Sequence, residues 1–203
     1  MSHDHDHGHG GSEHYFGQRA ETYDAGPEGR VAARFYKVTL AAIGSPGGAD
    51  VLDVGCGTGR LLKLLSDRGP IRGHGLDASP EMVAVARRQC PGMVIEVGSA
   101  EALPFPDESM DLVTICLAYH HLPDRPGFLA EAARVLRPGG RLCVTEPRFP
   151  RPMYSLFKGL LRRIDQHAEF LPPPALAAQV EAAGYRRLSL DTKGVVQTQV
   201  FAR

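Results

Sequence analysis

Apolar positions along the chain fall into short runs that alternate with stretches of helical spacing. The first stretch, EHYFGQRAETYD followed by GRVAARFYKVTLAAIG, reads as one or two amphipathic helices, closed by the breaker cluster Gly44-Ser45-Pro46-Gly47-Gly48. The apolar run Ala49 to Val54 predicts a strand, the glycines after it a turn, and Leu61, Leu62, Leu64 and Leu65 a helix that stops near Gly69. A second strand covers Ile71 to Leu76. Ser79 then offers a helix cap, Pro80 suits the first helical position, and the helix Glu81 to Gln89 follows. Met93 to Val97 and Leu112 to Ala118 predict the third and fourth strands, Pro126 to Leu136 a helix, and Leu142 to Thr145 the fifth strand. Near the end, Pro174 to Ala183 predicts a helix closed by Gly184, and RLSLDTKGVVQTQVFA reads as two strands around the turn Asp191-Thr192-Lys193-Gly194.

Strands alternating with helices in this way indicate an α/β fold: a Rossmann-like, seven-stranded, mostly parallel sheet with helices on both faces and the last strand antiparallel. The chain has 203 residues, enough for one core and short for two. We therefore expect one domain over residues 15–203, with helices at 15–48 and a helical insertion at 148–173. Residues 1–14 are set apart by His3, His5, His7, His9 and His14 among Asp and Gly, and read as a disordered tail able to capture metal without fixed geometry. No metal site is assigned.

With 23 basic and 23 acidic residues the chain is formally neutral, so nothing draws it to nucleic acid or to an anionic membrane surface. No apolar run approaches the roughly 20 residues of a membrane span, and the start lacks the apolar middle of a secretory signal, so a cytoplasmic address is expected. Cys56, Cys90, Cys116 and Cys143 show no Cys-x-x-Cys spacing and read as reduced, small apolar residues. A monomer and a homodimer both remain open.

The chemistry concentrates in VLDVGCGTG, Val51 to Gly59. In an open parallel sheet, ligands bind beyond the carboxyl ends of the strands, where strand order reverses. Gly55, Gly57 and Gly59 let the chain turn tightly there and let a ligand approach the backbone. The dinucleotide pattern G-x-G-x-x-G would need glycine where Arg60 stands. Asp77, ending the second strand, can accept hydrogen bonds from both hydroxyls of a ribose. Asp53 puts a second acid near the loop, which would repel a pyrophosphate and suit an ammonium-bearing ligand. Together these features fit S-adenosylmethionine better than a nicotinamide dinucleotide.

With GLDASPEMVAVARR, GSAEALPFPDESMDLVTICLAYHHL and LRPGGRLCVTEP in order behind the glycine loop, the chain from Val51 to Pro147 resembles the class I methyltransferases that use S-adenosylmethionine. The pattern is most similar to the small-molecule branch with the ubiquinone and menaquinone C-methyltransferases. The resemblance implies that Asp53, Gly55, Gly57 and Gly59 hold the methionine portion, Asp77 the ribose, and Met82 the adenine face. Ser99, Ala100 and Glu101 take the adenine edge, and Tyr23, Ala78 and Leu117 complete the cofactor contacts. The family usually has Asp where this chain has Ser99, a weaker acceptor for the adenine amino group.

Methyl transfer from a sulfonium rests largely on orientation and exclusion of water, so no catalytic triad is required. His120 and His121, at the end of the fourth strand, are the candidate proton acceptors from a small-molecule methyl acceptor. Residues from Tyr15 to Arg19, with Tyr23 and Asp24, form a candidate lid. Met153 to Phe157 and Phe170-Leu171 form a candidate substrate cover. A competing reading is a metal-handling or sensing protein that keeps the nucleotide-binding fold without catalysis.

Overall fold

The computed structural model describes residues 10–149 and 169–203. Its elements, in chain order, are α1 (Gly10–Gly17), α2 (Pro27–Ile43), β1 (Asp50–Val54), α3 (Arg60–Ser66), β2 (Arg72–Asp77), α4 (Pro80–Gln89), β3 (Val94–Val97), β4 (Met110–Cys116), a single 3-10 turn (Tyr119–His121), α5 (Arg125–Val135), β5 (Leu136–Pro147), α6 (Pro173–Ala182), β6 (Arg186–Lys193) and β7 (Val196–Ala202). The strands form one seven-stranded sheet in the order β3-β2-β1-β4-β5-β7-β6. β1 to β5 pair in parallel, and β7 inserts antiparallel between β5 and β6. The expected fold class is borne out.

Alternation along the strands sorts side chains to two packed faces. Leu52 and Val54 of β1, with Val113 and Ile115 of β4, join a cluster completed by Phe128, Leu129 and Ala132 of α5 and by Leu176 and Val180 of α6. Val51 and Leu112 face the other way, against Phe35 and Val38 of α2, Leu61, Leu62 and Leu65 of α3, and Val83 and Ala86 of α4. Asp53 belongs by parity to this second face, where its register partner is Thr114.

The caps follow the sequence closely. The Ser79 hydroxyl accepts from the Met82 amide at 3.2 Å and Pro80 opens α4. The Asp124 carboxylate caps α5 through the Gly127 amide at 2.9 Å. At the amino ends of the strands, Arg72 grips Asp50 with two bonds of 2.7 and 2.8 Å, and Arg137 bridges Asp50 and Asp111 at 3.0 and 2.7 Å. This group of ion pairs stands at the end of the sheet opposite the carboxyl ends of β1, β2 and β4.

Three boundaries differ from expectation. β5 starts at Leu136, because a bulge between Met110 and Leu112 lets Met110 pair with Leu136 before the main register begins. β4 ends at Cys116 instead of Ala118, since Leu117 turns to φ 60. Helix α1 takes in residues 10–14, the last part of the stretch read as a tail, and residues 1–9 lie outside the described residues. The expected insertion at 148–173 falls largely on residues 150–168, which also lie outside them. No helix among the described residues is long and apolar enough to cross a membrane.

Phe128 is fully buried between α5 and the sheet, with its ring edge-on to Tyr119 at 6.0 Å. Phe128→Ala is expected to cost about 3–5 kcal/mol of unfolding free energy, read from the denaturant midpoint, because the site cannot collapse around the lost ring.

Candidate active site

A cavity of about 440 Å³ opens at the carboxyl ends of β1, β2 and β4. Its floor is the turn after β1, where Gly55 and Gly57 adopt φ of 68 and 52, a region that side chains disfavour. A Cβ at Gly55 would lie 2.5 Å from Ala118 Cβ, so the loop and the end of β4 can approach this closely only without a side chain. A Cβ at Gly57 would meet nothing within 4 Å, which leaves its backbone open at the pocket. The amides of Gly55 and Cys56 both donate to Leu76 O, at 2.8 and 3.0 Å, and tie the loop to β2.

Asp77 sits where β2 ends. Its Oδ2 accepts from the Gly57 amide at 2.8 Å and its Oδ1 from the Ser79 amide at 2.9 Å. Burial pushes this carboxyl above its ordinary value, opposed by the amides of Ser79, Gly57 and Ala78. On the opposite wall, the Ser99 hydroxyl donates in a short contact to Glu101 Oε2, and Glu101 Oε1 is buried without a partner. An unsatisfied buried acceptor is costly, so this oxygen suits a donor on a ligand. With its hydrogen given to Glu101, the Ser99 oxygen keeps only acceptor capacity.

Of the residues expected to contact the cofactor, Tyr23, Gly55, Gly57, Asp77, Ala78, Met82, Ser99, Ala100, Glu101 and Leu117 line this cavity. Leu117 holds φ 60 there, a conformation costing about 1–3 kcal/mol that its amide bond to Thr145 O at 2.9 Å helps to fix. His121 also lines the cavity, whereas Asp53, Gly59 and His120 do not.

Each of these three has another task. Gly59 starts α3 at φ 78, and a Cβ there would stand 2.9 Å from Cys90 Sγ and 3.2 Å from Ala86 Cβ, so it serves packing against α4. Asp53 is 2% exposed and accepts from the Thr114 hydroxyl at 2.7 Å. Its carboxyl is pushed up to about 7, mainly by burial and further by the negative Asp77, with Thr114 opposing. Asp53, read as a second acid near the glycine loop that holds the methionine portion, is thus a buried carboxyl outside the cavity lining. His120 is buried with Nδ1 2.7 Å from Glu146 Oε2, while the next ring, His121, reaches the cavity.

Sequence reasoning passed over Tyr36, Cys56, Cys116 and Glu146. Burial holds the Cys56 and Cys116 thiols well above their ordinary range, so neither offers a thiolate beside a methyl donor. Tyr23 is pushed up to about 12, chiefly by burial, and Tyr36 well above its usual value for the same reason, so both phenols stay neutral. Among the described lining residues, the carboxylic side chains are Asp77 and Glu101, and none is Lys or Arg. This electrostatic character favours a cationic ligand over a pyrophosphate.

Phe16 and Tyr23, from the segment expected to form a lid, both line the cavity, and Asp24 is fixed to Thr58 at 3.0 Å and to Gln89 at 2.9 Å. Phe170 packs on His120 at 4.5 Å, and Leu171 rests against the core. Met153 to Phe157, the other part of the expected cover, lie outside the described residues. Among the described residues no group of His, Cys, Asp and Glu is arranged to hold a metal ion.

Comparison with known proteins agrees with this geometry. Residues 52–144 match the family model described as a methyltransferase domain. The demethylmenaquinone methyltransferase of Thermus thermophilus is 36% identical over 182 residues, covering 75% of this chain and 82% of that protein. The protein of the same name from Tropheryma whipplei is 36% identical over 132 residues, and the match spans 54% of its length. Among solved structures, a putative methyltransferase held in complex with the Haloferax volcanii activator Trm112 superimposes with a TM-score of 0.81 at 25% identity, covering 92% of this chain and 96% of that one.

Fold and site together define a class I methyltransferase that uses S-adenosylmethionine. The chain belongs to this family and is related to the demethylmenaquinone methyltransferases.

Two outcomes are expected. Gly55→Ala should weaken S-adenosylhomocysteine binding by about tenfold or more in calorimetry, and Ala118→Gly in the same chain should recover part of the loss by removing the clash. For Asp53, a folded pKa near 7 against 3.8 in the free chain means that the protonated carboxyl favours folding. That contribution is complete below 3.8 and is lost as pH rises to about 7. Between about pH 5 and about pH 8, wild-type urea stability should fall by about 3 kcal/mol relative to Asp53→Asn, at about 1.36 kcal/mol per pH unit.

Proposed function

We propose that this methyltransferase acts in the cytoplasm on a small aromatic acceptor of quinol type, bound beside Phe16, His121, Leu122 and Pro123. The observation that carries the reading is the kinship with the Thermus thermophilus demethylmenaquinone methyltransferase, which extends over 82% of that protein. The apolar and aromatic lining of the cavity supports it. Four free, buried cysteines suit a reducing compartment.

The residues fit S-adenosylmethionine. Asp77 would take the ribose hydroxyls, the unpartnered Glu101 Oε1 the adenine amino group, Met82 the adenine face, and the open backbone at Gly57 the methionine portion. Once bound, the cofactor supplies a methyl group on a sulfonium whose leaving group is a neutral thioether. Phe16, Tyr23 and Tyr36 shield that end of the cavity from water, with residues 15–48 acting as the lid. His121 takes the proton from the acceptor hydroxyl onto an imidazole nitrogen. The electron pair left on that oxygen raises the density at the ring carbon, which takes the methyl as the methyl–sulfur bond breaks. The proton on that carbon is then lost to solvent, and the oxygen recovers the proton held by His121 to restore the aromatic quinol.

Incubation with S-adenosylmethionine and a reduced naphthoquinone lacking the ring methyl is expected to yield the methylated quinol and S-adenosylhomocysteine in equal amounts. Loss of the acid–base group in His121→Ala should lower kcat by about 100-fold. A naphthoquinol left without added mass would remove the acceptor class, and full turnover by His121→Ala would remove the histidine from the reaction.

A further inference from the structure

The turn that brings His121 to the cavity has only three residues, and a single 3-10 turn does not hold its own orientation. It is clamped from outside. At the carboxyl end of β5, Glu146 has a side chain only 5% exposed, yet both oxygens are used: Oε1 accepts from the Tyr119 amide at 3.1 Å and Oε2 lies 2.7 Å from His120 Nδ1. A carboxylate only accepts, so the His120 proton resides on Nδ1 and the bond is charge-assisted. From the other side, Arg125 donates to Tyr119 O at 3.2 Å and His120 O at 3.4 Å, and is itself paired with Glu169 at 2.8 Å. The His120 ring, held in this way, lies 4.0 Å from the His121 ring, centroid to centroid.

A buried carboxylate–imidazole pair is a costly way to fill space, since apolar side chains of similar volume stabilise a core at least as well. Its position at the strand ends, directly behind a residue of the cavity wall, gives it a use. We infer that Glu146 is a positioning residue for methyl transfer, fixing through the Tyr119 amide and the His120 ring the turn that presents His121 to the acceptor. The inference rests on the assignment of His121 to the acceptor end of the cavity. Glu146 itself is absent from the cavity lining and acts through the turn.

Glu146→Gln keeps the volume and an acceptor oxygen for one of the two donors. It is expected to lower kcat about tenfold while the acceptor KM and the affinity for S-adenosylhomocysteine stay within about twofold. In a His121→Ala background the same substitution should lower kcat no further, because both changes remove one function. A readout without turnover accompanies this: in nitrogen-15 imidazole spectra of the ligand-free protein, one ring N–H should be protected from exchange and vanish in His120→Asn. Glu146→Gln should also shift the ring signals assigned to His121 by their loss in His121→Ala. Unmoved His121 signals, an additive loss in the double variant, or a matching fall in cofactor affinity would each overturn the positioning role. If the wild type methylates no quinol, the proposed acceptor fails, and the imidazole spectra still decide the part played by Glu146.

Discussion

The site depends on one carboxylate serving two amides. Asp77 ends β2 and takes the Gly57 amide on one oxygen and the Ser79 amide on the other. It thereby joins the turn after β1 to the start of α4, the two backbone segments that approach a ligand at the point where strand order reverses. Gly55 lets the same loop close against Ala118, so the distance between β1 and β4 at this end is set by the absence of a side chain. Neither feature would form a cavity alone. Together they leave backbone and the Asp77 carboxylate at one side of a space walled by Met82, Leu117, Glu101 and the aromatic rings of Phe16, Tyr23 and Tyr36.

Three acids along the sheet show how environment decides the use of one chemical group. Asp53 lies on the face packed by α2, α3 and α4, is satisfied by Thr114, and is held near neutrality by burial. Asp77, one strand over at the sheet end, is balanced by amides and can turn to a ligand. Glu146 is paired with an imidazole and a backbone amide, and its influence reaches the cavity only through the next residues. Around them, thiols and phenols are kept protonated by burial, which removes competing nucleophiles from the vicinity of a methyl donor.

Much of this was legible in the chain. Short apolar runs alternating with helical spacing made the mostly parallel sheet legible, and Ser79-Pro80 marked the start of α4, because those signals are local. The place of Asp77 at the end of β2, in the cavity lining, was readable because the apolar run before it marks the strand end. The burial of Asp53 is a matter of parity: a strand residue two places before the turn points into a packed face, although it stands close to the glycine loop in the chain. The packing role of Gly59 left no mark in the chain, because its neighbours, Ala86 and Cys90, come from the distant α4 and its cap. Glu146 stands one residue before the end of β5, as Asp77 stands at the end of β2, so attention to strand-end acids could have singled it out. The pairing with His120 could not be read, since it joins residues 26 positions apart, one in the turn after β4 and one in β5. The early pairing of Leu136 with Met110 depends on a bulge, which leaves no local mark.

The central claim is that the Asp77 carboxylate organises the cofactor site. Calorimetric titration of S-adenosylhomocysteine into the wild type and into Asp77→Asn tests it most directly. The wild type should bind, and the variant should bind at least about tenfold more weakly, since a neutral amide cannot accept from loop, cap and ribose together. Equal affinity in two equally well-folded proteins would contradict it.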